Sequence, residues 1–187
     1  MWSNNNNGNQ IQNQSNGAVQ TDKPKNPKLL IRGCQDGMIE MTVFKYNNSI
    51  YTGIVIRQMI GKDPNGRMTF ENGLFKDMVN VQLRVDKMIP LILALEDYKP
   101  ETINFSWAPW EGNTDNTIAF VGSENDVKIT IKHKNGTRSA SLPTTPVGAK
   151  SYNGKYQEFI SDLKWCLSRM LFGKYDDIAS EDEVPFS

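Results

Sequence analysis

The chain has 187 residues, 38% of them hydrophobic, with 21 basic and 21 acidic side chains and one histidine. That composition supports one ordinary core, and the longest apolar run, residues 88–95, is far too short to span a bilayer, which excludes a helical membrane protein. The neutral total conceals an asymmetry: residues 176–187 hold five acids and no base, leaving 21 bases against 16 acids, or +5, on the rest of the chain. A mildly basic body with an acidic end suits a protein that binds a polyanion. Cys34 and Cys166 are far apart and nothing upstream resembles a secretory signal. The expectation is therefore a cytoplasmic protein with both thiols free and no membrane contact.

Residues 1–27 are dominated by Asn and Gln, with almost no aliphatic bulk and Trp2 the one aromatic anchor, and they read as a disordered arm. Residues 28–173 read as the folded domain, and 174–187 as a disordered acidic tail. In the domain, residues 39–46 and 50–60 alternate as strands joined by a turn at Asn47, Asn48 and Ser49. Asp63, Pro64, Asn65 and Gly66 form a second turn, followed by a short strand over 67–71. Residues 78–85 alternate cleanly, with Val79, Val81, Leu83 and Val85 inward and Asn80, Gln82 and Arg84 outward. Asp86 is placed to cap a helix over 88–98 that is apolar nearly all round, and Lys99 and Pro100 end it.

The second half repeats this order. Strands are expected over 102–107 and 116–121, flanking a loop that carries Trp110. Residues 127–142 form a hairpin, with Asn135 and Gly136 as its turn and Lys134 facing Thr137. One face of that hairpin shows Lys128, Thr130, Lys132, Lys134, Thr137, Ser139 and Ser141, a track for phosphates or an ordinary solvated face. A Pro/Thr/Gly connection leads to a final helix over 156–172, capped by Asn153. Its apolar stripe runs through Tyr156, Phe159, Ile160, Leu163, Cys166, Leu167 and Met170, with Trp165 opposite. The all-round apolar helix and the outward Trp165 together predict a homo-oligomer.

Enzyme chemistry has little to stand on. His133 lies in a hairpin beside lysines, the cysteines lack zinc spacing, and no nucleophile triad, phosphate loop or cofactor motif is present. The binding inventory is richer. Tyr51 and Arg57 share one strand face. Arg67, Arg84, Trp107, Trp110, Lys128, Lys132, Lys134 and Arg138 supply further rings and cations of the kind that stack bases and follow a phosphate backbone. Tyr51, Trp107 and Trp110 are expected to be exposed, Phe44 and Phe120 buried.

The tail carries Asp176, Asp177, Glu181, Asp182 and Glu183 and ends on Val184, Pro185, Phe186 and Ser187. It resembles the acidic, Pro-Phe-ended tip of bacterial single-stranded-DNA-binding proteins and several phage counterparts, except that the family usually ends on Phe. That resemblance implies recruitment of replication, recombination or repair proteins by the tip. Two runs of four strands and one helix also resemble the whirly single-stranded-DNA-binding fold and the related positive-coactivator family, although the Lys-Gly-Lys motif of the plant members is missing. The expected class is thus α+β with two antiparallel β4α repeats, and an oligonucleotide-binding β-barrel with an added helix is its rival. Either way the expected function is sequence-tolerant binding of single-stranded DNA. The alternatives are a replisome or virion protein that offers only its tail, or an RNA-binding regulator.

Overall fold

The computed structural model describes residues 29–31, 37–73, 75–110, 112, 114–145, 154–174 and 178. The arm over 1–27, Trp2, Cys34, the Asn153 cap and all tail residues but Ile178 and Lys174 therefore lie outside the described residues. The class is α+β, with two antiparallel sheets and two helices. The first sheet contains β1 (Leu29–Ile31), β2 (Gly37–Tyr46), β3 (Ser49–Lys62), β4 (Met68–Phe70) and β5 (Asn80–Leu83). The helix α1 (Val85–Asp97) follows, then the second sheet, β6 (Asn104–Trp107), β7 (Thr117–Gly122), β8 (Asp126–His133) and β9 (Gly136–Pro143), and finally α2 (Lys155–Phe172). β1 was not foreseen. Among the described residues no helix is long and apolar enough to cross a membrane.

The two sheets are wired differently. β3 is the spine of the first: β2 runs along one edge, while β5 pairs with Thr52 to Val55 and β4 with Met59 to Lys62 on the other, a bulge intervening near Gly61. The second is a meander in chain order, β6-β7-β8-β9. Asn47 and Asn48 take φ of 45° and 60°, so a two-residue turn joins β2 to β3; Asn tolerates the left-handed region that this twist requires. In the β8–β9 hairpin the turn falls on Lys134 and Asn135 instead of Asn135 and Gly136, and His133 pairs with Gly136. Only Gly136 there adopts positive φ, 128°, whereas the expected turn needs two such residues. The shift moves both members of every pair, so Lys128, Thr130 and Lys132 still share a face with Thr137, Ser139 and Ser141.

One core joins everything. Ile39, Met41, Ile54, Ile56, Val81 and Leu83 of the first sheet meet Phe120, Ile129, Ile131 and Leu142 of the second and the inner stripes of both helices. α1 contributes Met88, Leu91, Ile92 and Leu95, and α2 five residues of its expected stripe, Tyr156, Phe159, Leu163, Cys166 and Met170, with Ile160 and Leu167 half-buried against them. The helices run antiparallel: Tyr156 at the start of α2 donates to the carbonyl of Leu95 near the end of α1 (3.3 Å), while Met170 lies beside Val85 and Asp86 at the start of α1. The α1 N-cap is Arg84, without a side-chain cap bond, and Asp86 sits in the first turn, where its charge favours the helix dipole. Gly154, not Asn153, occupies the α2 N-cap position.

A second, smaller cluster covers the other face of the first sheet: Phe44, Tyr51, Val55, Phe75 and Met78. The short helical turn Phe75–Asp77 folds over β3 here, so residues 51 to 57 of β3 are buried on both faces. Gly53 is required at this point, since a Cβ would stand 2.7–2.9 Å from the rings of Phe75 and Phe44. Asn80, expected outward, is 3% exposed and donates to the carbonyls of Phe75 (2.9 Å) and Met78 (3.0 Å), which pins the covering segment down.

Candidate nucleic-acid interface

Alternation along four strands gives the second sheet one apolar face, turned to the core, and one polar face. The register lays the polar face out in rows: Asn104, Val121, Lys128 and Ser141; then Ser106, Ala119, Thr130 and Ser139; then Thr117, Lys132 and Thr137. Thr130 and Ser139 hydrogen-bond across the strands at 2.9 Å. Lys128 and Lys132, both exposed, stand about 13 Å apart along β8. Val121 is the face's one exposed large apolar side chain.

One end of this sheet gathers more. β6 ends at Trp107 opposite Ile118, Thr117 faces Lys132, and His133 faces Gly136. The loop after β6, with Trp110, therefore leaves the sheet at the same end as the turn with Lys134. Trp110 is 40% exposed. Lys132 contacts Asp115 of the loop at 3.6 Å; both side chains are more than half exposed, so the pair is worth little in water. His133 is held below its ordinary pKa by partial burial and by the neighbouring Lys134, so at neutral pH it adds a ring rather than a charge. Asn135 donates to the carbonyl of Met78 at 3.5 Å, setting this end against the segment that covers the first sheet.

The predicted residues separate into groups. Trp110, Lys132 and Lys134 lie at the same end of the sheet, with Lys128 further along the face of Lys132. Trp107 lies half-buried on the inward side, its Nε1 buried without a hydrogen-bond partner, so it supports the loop and offers no free ring face. Tyr51 is corrected: at 8% exposure it stacks on Phe44, with centroids 5.9 Å apart. Arg57 is corrected too. It is 2% exposed, its Nη2 lies 2.7 Å from Glu40 Oε2, and its Nη1 donates to the Glu71 carbonyl (3.1 Å) and to Asn72 Oδ1 (3.3 Å). Phe44 and Phe120 are buried as expected.

Arg138 projects on the core side of β9 and grips Glu71 with two nitrogens, at 2.6 and 3.0 Å. This bond lowers the Glu71 pKa and raises that of Arg138, the hydrogen bond being the main cause in each case. The clamp anchors the root of the β3–β4 ribbon beside the second sheet. Arg67 sits in the ribbon's exposed tip, its backbone N–H donating to Asp63 Oδ1 at 2.8 Å, and Met59, Ile60 and Met68 are exposed along it. Arg84 lies apart, at the start of α1, 3.5 Å from Asp86. It borders an open groove of about 660 Å³ with Asn48, Ser49 and Ile50.

The tail departs from expectation at one position. Ile178, between the two acidic groups, is 1% exposed and belongs to the main core. Burial of that one aliphatic side chain gains roughly 2 kcal/mol, enough to hold the chain against the body despite its acidic neighbours. Sequence pattern carried a signal for it, an isolated Ile in a charged run, but no partner. No protein-family model, curated protein or solved structure matches the chain.

Proposed function

We propose that this protein binds single-stranded nucleic acid, DNA in the first instance, without reading its sequence. The observation that carries the proposal is the convergence of Trp110, Lys132 and Lys134 at one end of a hydroxyl-rich sheet face that continues to Lys128. Bases stack on the indole, lysines follow the phosphates, and Ser and Thr hydroxyls accept or donate to either strand polarity. Arg67, on a ribbon rooted next to this end, extends the basic surface, whereas Tyr51, Arg57 and Arg138 serve the fold. After β1 come two runs of four strands and one helix, an order that favours the whirly-like reading over a barrel. Branching at β3 in the first sheet alone is the point at which the halves differ. The acidic Pro-Phe tip recruits replication or recombination proteins, tethered from Ile178.

Fluorescence anisotropy with poly-dT, at a series of salt concentrations, tests this. Trp110→Ala lowers affinity by roughly 5- to 150-fold through lost stacking with little change in salt slope. Lys132→Ala with Lys134→Ala lowers the slope by about 1.4, two single-strand phosphate contacts. Equal or tighter binding to duplex at matched salt refutes single-strand binding. No binding to either at low salt leaves a protein that works through its tail.

A further inference from the structure

The outer surface of the two helices is not built as a solvated face. Of the twelve large hydrophobic side chains exposed among the described residues, six lie on or next to α1 and α2: Ile89 (42%), Leu93 (57%), Tyr98 (44%), Trp165 (39%), Leu171 (50%) and Phe172 (82%). Their spacing is informative. Along α2, Ser161, Trp165, Ser168 and Phe172 recur at intervals of four, three and four, a heptad seam on the side opposite the stripe that packs on the core. This seam has no charge, and its polar members are small; Ser161 turns its hydroxyl back to the carbonyl of Gln157 at 2.9 Å. Along α1 the outward positions Asp86, Ile89, Leu93 and Glu96 follow intervals of three, four and three, apolar in the middle and acidic at the ends. Alternating large and small side chains on a heptad seam accept another helix, not a loop.

We infer that this layer docks on the same layer of a second copy of the chain, α1 of each copy lying against α2 of the other. Among the described residues there is no other α-helix to offer: α1 and α2 already commit their inner stripes to the core. Residues 1–28 have only Met1, Trp2, Ile11 and Val19 as large apolar groups, too sparse for a stripe, and residues 179–187 have only Val184 and Phe186, on a segment with three consecutive acids and a proline. Charge selects the pairing. Glu96 of α1 and Lys164 of α2 pair with each other within one copy, as do Lys155 and Glu158 of α2; beyond these pairs α1 turns out Asp86 and Asp97 against Lys87, whereas α2 and its end carry Arg169 and Lys174 against the half-buried Asp162. A two-fold axis parallel to the helices sets each acidic α1 on the partner's basic α2 and runs the two antiparallel, which brings Asp86 next to the partner's Lys174. The alternative axis, across the helices, places α1 on α1 and acid on acid. Two helices of 13 and 18 residues present a footprint on the order of 500 Å² per copy, near the lower limit for a specific interface, so the dimer dissociates in the micromolar range.

Sedimentation velocity of the full chain without nucleic acid, over a range of concentrations through the micromolar, tests the inference apart from any binding function. A concentration-dependent dimer is expected, and a monomer throughout overturns it. Leu93→Glu and, separately, Phe172→Ser are expected to weaken dimerisation roughly 100-fold and roughly 10-fold with unchanged circular-dichroism spectra and melting, since both side chains are mainly in solvent. A dimer that survives both variants overturns the assigned surface. Asp86→Lys and Lys174→Glu each weaken the dimer, and together they restore it; weakening without restoration overturns the α1-on-α2 arrangement.

Discussion

Arg57 decides between two views of the first sheet, because its position on a strand face with Tyr51 suggested a phosphate contact and its surroundings make it structural. Its guanidinium is 3% exposed and lies 2.7 Å from a carboxylate, Glu40, that is fully buried. Arg57→Met keeps much of the apolar volume but leaves the Glu40 charge without its cationic partner in a low-dielectric interior, and removes the donor to Glu71 and Asn72. Breaking a buried pair from one side costs about 3–5 kcal/mol, against a total stability of roughly 5–15 kcal/mol for a domain. For a chain of this size that lowers the melting temperature by roughly 6–20 °C. Adding Glu40→Gln to Arg57→Met removes the stranded charge and recovers most of the loss. Urea unfolding followed by tryptophan fluorescence measures all three variants, and poly-dT anisotropy on the folded protein measures binding. A wild-type urea midpoint for Arg57→Met, or a weakened affinity at unchanged stability, refutes the structural reading and returns Arg57 to the interface.

Three further outcomes are expected. Gly53→Ala drives a methyl into the rings of Phe44 and Phe75 and costs about 1–3 kcal/mol in urea unfolding; a neutral result shows that the Phe75–Asp77 turn lifts without penalty. Asp162 has its pKa raised from 3.8 to about 6 by burial, reinforced by Glu158 and opposed by Lys155. The folded state therefore holds this proton more tightly than the unfolded state, and stability falls as pH rises from about 4 through 6; after discounting for its partial solvation, Asp162→Asn removes about 1 kcal/mol of that slope, and a slope unchanged by the substitution refutes the assignment. Deleting residues 179–187 leaves the melting temperature unchanged, whereas deleting 176–187 removes Ile178 and lowers stability by about 2 kcal/mol; equal melting of the two truncations means that Ile178 anchors nothing.

Much of the fold is local and could be read from residue order. Alternation over 39–46, 50–60 and 127–142, the Asn-rich and Asp-Pro-Asn-Gly turns and the α2 stripe each depend on the period of a strand or helix and on backbone freedom at two or three residues, so the α+β class and the polar face of β8 and β9 followed without tertiary information. What alternation does not carry is which face meets solvent. β3 is buried on both, because helices and the second sheet cover one side and Phe75 and Met78 the other, and this sends Tyr51, Arg57 and Asn80 inside. Arg138 illustrates the same limit: its charge suggested phosphate, but the Glu71 carboxylate that holds it is 67 positions away. Trp110, Lys132 and Lys134 share one end of the sheet only through the register that places the β6–β7 loop and the β8–β9 turn there. Side-chain chemistry is a property of the residue, but exposure and partnership are set by chain segments remote in sequence, and only the packed molecule decides them.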